Sequence, residues 1–120
     1  NGWGSMWRNG VYSFHHYHST AHEALGVYAG SAEVQLGGPD GLALKIEPGD
    51  VLILPAGTAH KLISSSGLSL VGAYPPGPGW DLLRGASGDR PAADRNIAAV
   101  PAPDTDPVFG ADGPLVHYWG

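Results

Sequence analysis

The chain has 120 residues, enough for one folded domain and too few for two. Its 6 basic against 11 acidic residues give a net charge of -5, which argues against nucleic-acid and membrane-surface partners because both carry negative charge. It contains no cysteine, which excludes a disulfide framework, a thiolate metal site and a cysteine nucleophile. Any metal ion must therefore be held by nitrogen and oxygen atoms.

Targeting signals are absent from the sequence. No apolar stretch approaches the roughly 20 residues that cross a bilayer, and no basic segment is followed by an apolar leader. We therefore expect a soluble, cytoplasmic protein. Because the chain begins at Asn1 and not at a methionine, we also expect an N-terminal stretch, with any strand it carries, to have been trimmed.

Short strands dominate the first two thirds of the chain. Residues 31–36 alternate between apolar and polar side chains, which is the period of a half-buried strand, and a glycine-rich break separates them from a second alternating run. The edge strands of a small sheet must be protected, and closure of the sheet into a barrel protects them. We therefore expect an all-β fold, a single jelly-roll barrel. The pattern predicts about seven strands, at residues 11–18, 23–28, 31–36, 42–46, 51–54, 60–64 and 68–73.

Residues 75–120, called the arm below, differ in composition from residues 1–74. They hold eight of the 11 prolines but also many apolar side chains, so we expect an ordered arm of the same domain with one helical turn at residues 94–99. Burial of Trp80 and Trp119 would offset the entropy of ordering it. We expect the arm to pack on the outside of the barrel, so that its removal lowers the melting temperature and leaves the metal content nearly unchanged.

A histidine cluster precedes the second predicted strand. His16 and His18 share one face of a strand with Cα atoms roughly 6.7 Å apart, close enough to bind one ion. Glu23 follows a short turn and returns a carboxylate to the same face, and His60 follows the tight turn 55–59. A buried unpaired carboxylate is costly, so Glu23 either faces water, meets a protonated histidine or binds a cation. The density of ligands favours the cation.

Two segments of this sequence resemble the two motifs of the cupin superfamily of jelly-roll proteins, the RmlC-like type. The first motif is matched at every fixed position, by Gly10, His16, His18, Glu23 and Gly30. The second is matched by residues 49–64, except that Ser64 stands where the family usually has asparagine. Short segments of the arm are similar to the YjlB-like branch of small bacterial cupins.

The resemblance implies one divalent metal ion per chain on His16, His18, Glu23 and His60 near the mouth of the barrel. Iron, zinc, manganese, nickel and copper are not distinguished. His15 and His22 are expected to contact the ligand residues without binding the metal, or to lie at the surface. Ser64 is not expected to be a ligand.

Three functions follow from the resemblance, and fold alone does not choose among them. The first is a mononuclear metal enzyme, dioxygenase-like, that acts on a small organic molecule. The second is a metal-dependent module that binds or senses a small ligand without turnover, and the third is a structural cupin. For assembly we expect a homodimer, because an unpaired strand edge is commonly covered by a second copy.

Overall fold

A computed structural model describes residues 2–76, 81–85, 88–111 and 113–119. The elements are β1 Gly4–Asn9, β2 Glu23–Leu36, β3 Leu42–Ile46, β4 Val51–Leu54, β5 His60–Tyr74, α1 Ala92–Ala99 and α2 Pro114–Trp119. The strands form one antiparallel sheet in the order β1-β5-β2-β3, with β4 also paired to β2. The fold is the all-β jelly roll expected from the sequence.

Strands β2 and β5 are long and bent. The 14 residues of β2 would span about 46 Å if straight, whereas the longest dimension of the molecule is 38 Å. Three register shifts between β2 and β5 and a positive φ of 71° at Gly30 allow the bend. A Cβ atom on Gly30 would overlap the carbonyl of Gly67 on the facing strand. The strands predicted at residues 23–28 and 31–36 are therefore one strand, β2, and those predicted at residues 60–64 and 68–73 are one strand, β5. The glycines between them mark a bend and not an end.

The bend closes the sheet around its core. Leu36 pairs with His60 at one end of the β2–β5 ladder, and Ala24 pairs with Ala73 at the other. Even so, the side chains of Glu23 and His60, which start the two strands, are in contact. The interior between them is filled by two groups of buried side chains, Leu25, Leu54 and Leu70, and Val27, Ala32, Val34 and Ile46.

The strand predicted at residues 11–18 is wrong. This segment makes only isolated bridges, His16 with His60 and Tyr17 with Leu83. Its backbone hydrogen bonds go to several partners in turn, including a bond from Leu62 N to Tyr12 O of 2.9 Å, so no continuous ladder forms. The N-terminal strand is instead β1, which pairs with the end of β5.

The described part of the arm contacts the rest of the domain at several points. Pro101 contacts His22, the carbonyl of Thr105 accepts a 2.9 Å hydrogen bond from Trp3 Nε1, and Ile97 of α1 lies against Gly57. Helix α1 includes the predicted turn, whereas α2 was not predicted. Trp80 and the side chain of Trp119 lie outside the described residues. Where the structure is described, it contains no helix long and apolar enough to span a membrane.

Candidate metal centre

The four predicted ligands come together in the interior. Glu23 is the first residue of β2, His60 is the first residue of β5, and His16 and His18 lie in the loop before β2. All four side chains are buried. Within the described residues, one nitrogen from each of His16, His18 and His60 lies within 4.8 Å of the other two.

The backbone joins His16 directly to His60. His16 N donates to His60 O at 3.1 Å, and His60 N donates to His16 O at 2.8 Å. This antiparallel bridge sets the two imidazole rings 3.9 Å apart between centroids. The distance between these two side chains is thus fixed by the main chain, although His16 is not in a strand.

Each of the three histidines has a main-chain carbonyl at Nδ1. The partner of His16 is Phe14 O at 3.1 Å, and that of His60 is Thr58 O at 3.2 Å. His18 contacts the carbonyl of Asp81 in the arm. A carbonyl only accepts, so the hydrogen-bond network assigns the proton to Nδ1 and leaves a lone pair on Nε2 of each neutral ring. Metal-binding histidines commonly carry this second hydrogen bond.

Glu23 faces two of these Nε2 atoms. Its Oε1 lies 3.1 Å from His60 Nε2, and its Oε2 lies 3.3 Å from His18 Nε2. Within the described part of the chain Oε1 nevertheless has no hydrogen-bond donor, because the approach of His60 does not have hydrogen-bond geometry. A carboxylate and an imidazole lone pair repel each other at this distance unless a proton or a cation lies between them. Three imidazoles and one carboxylate are a suitable donor set for a divalent first-row ion.

Electrostatics keeps two of these groups, Glu23 and His16, in the ionisation states that a metal needs. Burial raises the pKa of Glu23, but contacts with His18, His60 and Tyr74 outweigh it and lower the pKa to about 2. Burial, with the neighbouring His60, lowers the pKa of His16 to about 4. Burial also lowers the pKa of His18, but Glu23 and Asp81 outweigh it and hold the value above its usual range. At neutral pH the site holds an anionic carboxylate and a neutral His16, whereas His18 is the ring on which a proton competes with an ion.

Two residues near the site were missed by the sequence reasoning. Tyr74 donates a 2.6 Å hydrogen bond from its hydroxyl to Glu23 Oε2. The period of β5 carried a signal, because Leu70 and Tyr74 are separated by four residues and so share the inward face. Asp81, whose carbonyl contacts His18, lies in irregular chain and gave no signal.

The remaining histidines differ in what they contact. His22 accepts a 2.9 Å bond from Ala56 N at Nδ1 and contacts Pro101 O at 3.0 Å through Nε2, so it joins the turn before β5 to the arm. His15 Nδ1 is buried and has no hydrogen bond within the described residues. Ser64 is exposed on β5 opposite Glu33, away from the ligands.

Comparison with known proteins shows the family of this chain. The sequence model of the family described as Cupin domain matches residues 5–71, more than half of the chain and all four candidate ligands. The chain belongs to the cupin family. This cupin is 38% identical over 120 residues to the uncharacterized protein YjlB of Bacillus subtilis (strain 168), covering 99% of this chain and 73% of that protein. It is thus a cupin of the YjlB-like branch.

Two solved structures are similar to this chain. The crystal structure of protein NMB1881 from Neisseria meningitidis matches this cupin with a TM-score of 0.50 and 22% identity, over 59% of this chain and 70% of the other. That of BH2720 from Bacillus halodurans matches with a TM-score of 0.42 and 19% identity, over 66% of this chain and 67% of the other. At this identity the first match supports the jelly-roll fold and nothing finer.

Proposed function

We propose that this cupin is an enzyme that acts on a small organic molecule in a dioxygenase-like reaction. For this reaction it binds one divalent metal ion through His16, His18, Glu23 and His60. One observation carries the proposal. Glu23 Oε1 is buried, lacks a hydrogen-bond donor within the described residues and lies 3.1 Å from His60 Nε2, and the tautomer of His60 that donates from Nδ1 to Thr58 O leaves a lone pair on that Nε2. A cation relieves the resulting repulsion.

The residues of the chain divide the work of such a site. An ion held by these four residues would supply a Lewis acid that polarises or activates a small molecule. Glu23 neutralises part of the positive charge, and Tyr74 orients the carboxylate through its 2.6 Å hydrogen bond. The carbonyls of Phe14 and Thr58 hold the rings of His16 and His60. Burial of the ligands keeps bulk water from them.

Metal analysis tests the site itself. Protein purified without chelator should carry about one first-row divalent ion per chain. His60→Ala should lower this occupancy sharply, and Glu23→Gln should lower it because the negative charge is lost. Glu47→Gln is the matched control, because Glu47 is exposed in the turn before β4. Full metal retention in a His16→Ala, His60→Ala double variant would rule the site out.

Turnover tests the enzyme. Oxygen consumption by the metal-loaded protein is measured across small carboxylic acids, thiols and diketones, with the Glu23→Gln variant as the control. Oxygen uptake with one class, lost in the variant, supports the dioxygenase-like reaction. Metal-dependent binding of one class with neither oxygen uptake nor chemical change would identify the alternative, a non-catalytic module for binding or sensing a small ligand.

A homodimer in the cytoplasm stays our prediction for the assembly and its location. Edge strand β3 supports the dimer, because Leu42 is 67% exposed and Leu44 is 37% exposed there. An apolar strand edge is commonly paired with another copy of the chain. Light scattering at micromolar concentration should give about twice the chain mass, and a mass near 12.4 kDa would contradict the dimer.

A further inference from the structure

We infer that the arm is part of the metal centre: Ser19 and Asp81 position the His18 ring, so that docking of the arm and binding of the metal are coupled. The inference rests on the proposed function, since it concerns the same ion. It assigns a positioning role to two residues outside the ligand set. It also adds a regulatory property, because a change that loosens the arm also lowers the affinity for the metal.

Asp81 holds two neighbouring residues of the loop at once. Its main-chain carbonyl accepts from His18 Nδ1, and its carboxylate Oδ1 accepts from Ser19 N at 2.7 Å. The second carboxylate oxygen accepts from the Ser19 hydroxyl. Ser19 is fully buried. The side chain of Asp81 thus fixes the position of the carbonyl that the His18 ring uses.

His18 uses a distant partner where the other two rings use a local one. His16 and His60 each bond the carbonyl two residues earlier, Phe14 O and Thr58 O. The corresponding carbonyl for His18 is His16 O, which already accepts from His60 N at 2.8 Å in the backbone bridge. The arm therefore supplies to the third ring what the local chain supplies to the other two.

Helix α1 and a backbone bridge extend the contact further into the arm. Asn96 Nδ2 donates to Ser19 Oγ at 3.3 Å. Tyr17 and Leu83 exchange two backbone hydrogen bonds of 2.9 Å each, next to His18 on the side opposite Ser19. The residues before and after His18 are thus both held by the arm, Tyr17 by Leu83 and Ser19 by Asp81.

Coupling follows from this geometry. A docked arm holds the His18 ring with Nε2 towards Glu23, so that the ion does not have to order it on binding. By linkage, the bound ion must favour the docked arm by the same free energy. Removing the metal should loosen the arm, and loosening the arm should weaken the metal.

The test uses the full-length chain with Co(II) as the probe. We expect Asp81→Ala to weaken Co(II) binding about 10- to 100-fold in competition with a chromophoric chelator, and Ser19→Ala to weaken it less. Asp81→Asn should restore part of the affinity because an amide oxygen can still accept from Ser19 N. Asp94→Asn is the matched control, since that carboxylate lies in the arm on an exposed ion pair with Arg90 and should leave binding unchanged.

Two further readouts separate positioning from general destabilisation. The visible Co(II) spectrum should change in Asp81→Ala, because the orientation of one ligand changes, and it should be unaltered in Asp94→Asn. Co(II) should also slow tryptic cleavage after Arg84 and Arg95 in the wild type, and slow it less in Ser19→Ala. If Asp81→Ala does not fold, the same comparisons in Ser19→Ala and Asp81→Asn decide the matter.

The outcomes distinguish the two proposals. A wild-type chain that binds no Co(II) would overturn the proposed metal site and the coupling with it. Wild-type affinity, spectrum and protection from trypsin in the Ser19 and Asp81 variants would overturn the coupling alone and leave the metal site standing.

Discussion

The two halves of the metal centre are held in different ways. Glu23 and His60 are the first residues of β2 and β5, which are paired along most of their length. His16 and His18 lie in a loop that makes only isolated bridges. The sheet thus fixes the positions of Glu23 and His60. The positions of His16 and His18 depend on individual hydrogen bonds, one of which comes from the arm.

This difference shows that a ligand motif and its support can lie far apart in the chain. His16 and His18 belong to one short motif, yet His16 bonds to Phe14 and His18 bonds to Asp81. A substitution in the sheet should therefore disturb Glu23 and His60 first, and a substitution in the arm should disturb His18 first.

The largest effect is expected at the bend of the sheet. Gly30→Ala should lower the free energy of unfolding by about 2–4 kcal/mol, because the methyl group meets the carbonyl of Gly67 at a positive φ. Gly38→Ala is the control, since Gly38 also has a positive φ but open space around its Cα. It should cost about 1 kcal/mol. Urea unfolding measures both, and equal losses would argue against a steric requirement for the bend.

The next effect is expected in the arm, far from the ligands. The carboxylate of Asp106 is buried and accepts hydrogen bonds from Val108 N at 2.7 Å, Phe109 N at 3.0 Å and Leu115 N at 3.1 Å. Asp106→Ala should cost about 2–3 kcal/mol near neutral pH. The exposed Asp104→Ala is the control and should change little.

The pH dependence of the Asp106 contribution has a definite sign. Burial raises the pKa of Asp106, but the three backbone N–H donors outweigh it and hold the pKa below 3.8, the ordinary value. The folded state therefore binds the proton less readily than the unfolded state, so the contribution is present above that value and is lost as the pH falls further. Urea unfolding should show the difference between wild type and Asp106→Ala shrinking in acid, and a constant difference would contradict this account.

A smaller effect is expected for the tyrosine beside Glu23. Tyr74→Phe removes the 2.6 Å hydrogen bond to Glu23 Oε2 and should cost about 1–2 kcal/mol in the metal-free protein. Tyr28→Phe is the matched control, because Tyr28 is 55% exposed. Thermal unfolding of the two variants measures the difference. If Tyr74→Phe behaves like Tyr28→Phe, the hydroxyl does not hold the carboxylate.

The smallest effect is expected at the surface of the loop. The guanidinium carbon of Arg84 lies 3.8 Å from the centre of the Phe14 ring, so Arg84→Ala should cost only about 0.5–1 kcal/mol. Arg84→Lys should retain part of it. A loss as large as that of Asp106→Ala would mean that this contact, and not the buried hydrogen bonds, fixes the arm to the loop.

The candidate ligands could be predicted from the sequence because they lie in short patterns of neighbouring residues. The spacing of His16, His18 and Glu23, and the turn before His60, predicted a cluster that the structure brings together, although the loop carrying two of these residues was expected to be a strand. Alternation located β3, and an apolar run after a turn located β4. The sequence pattern predicted two short strands in place of each of β2 and β5, because glycines such as Gly30 and Gly67 are typical of turns. Only the pairing with the facing strand shows that each strand continues through its glycine.

The support of the site could not be predicted because it depends on long-range contacts. Asp81 is a single carboxylate in irregular chain, and nothing near it indicates that its carbonyl meets a ring 63 positions away. We expected removal of the arm to leave the metal nearly unchanged. The contacts of Asp81 with His18 and Ser19 change that expectation, and the metal should now weaken with the arm.

The distance along the chain between His18 and Asp81 also has a consequence for biosynthesis. A ribosome releases the chain from its N-terminus, so the loop with His16 and His18 emerges long before its partner in the arm does. His60 emerges later than the loop, and Asp81 later still. The ligand set is complete at His60, but the ring of His18 gains its carbonyl only after residue 81 has left the exit tunnel. Tight metal loading should therefore wait until residue 81 has been synthesised, well after the histidines of the loop have emerged.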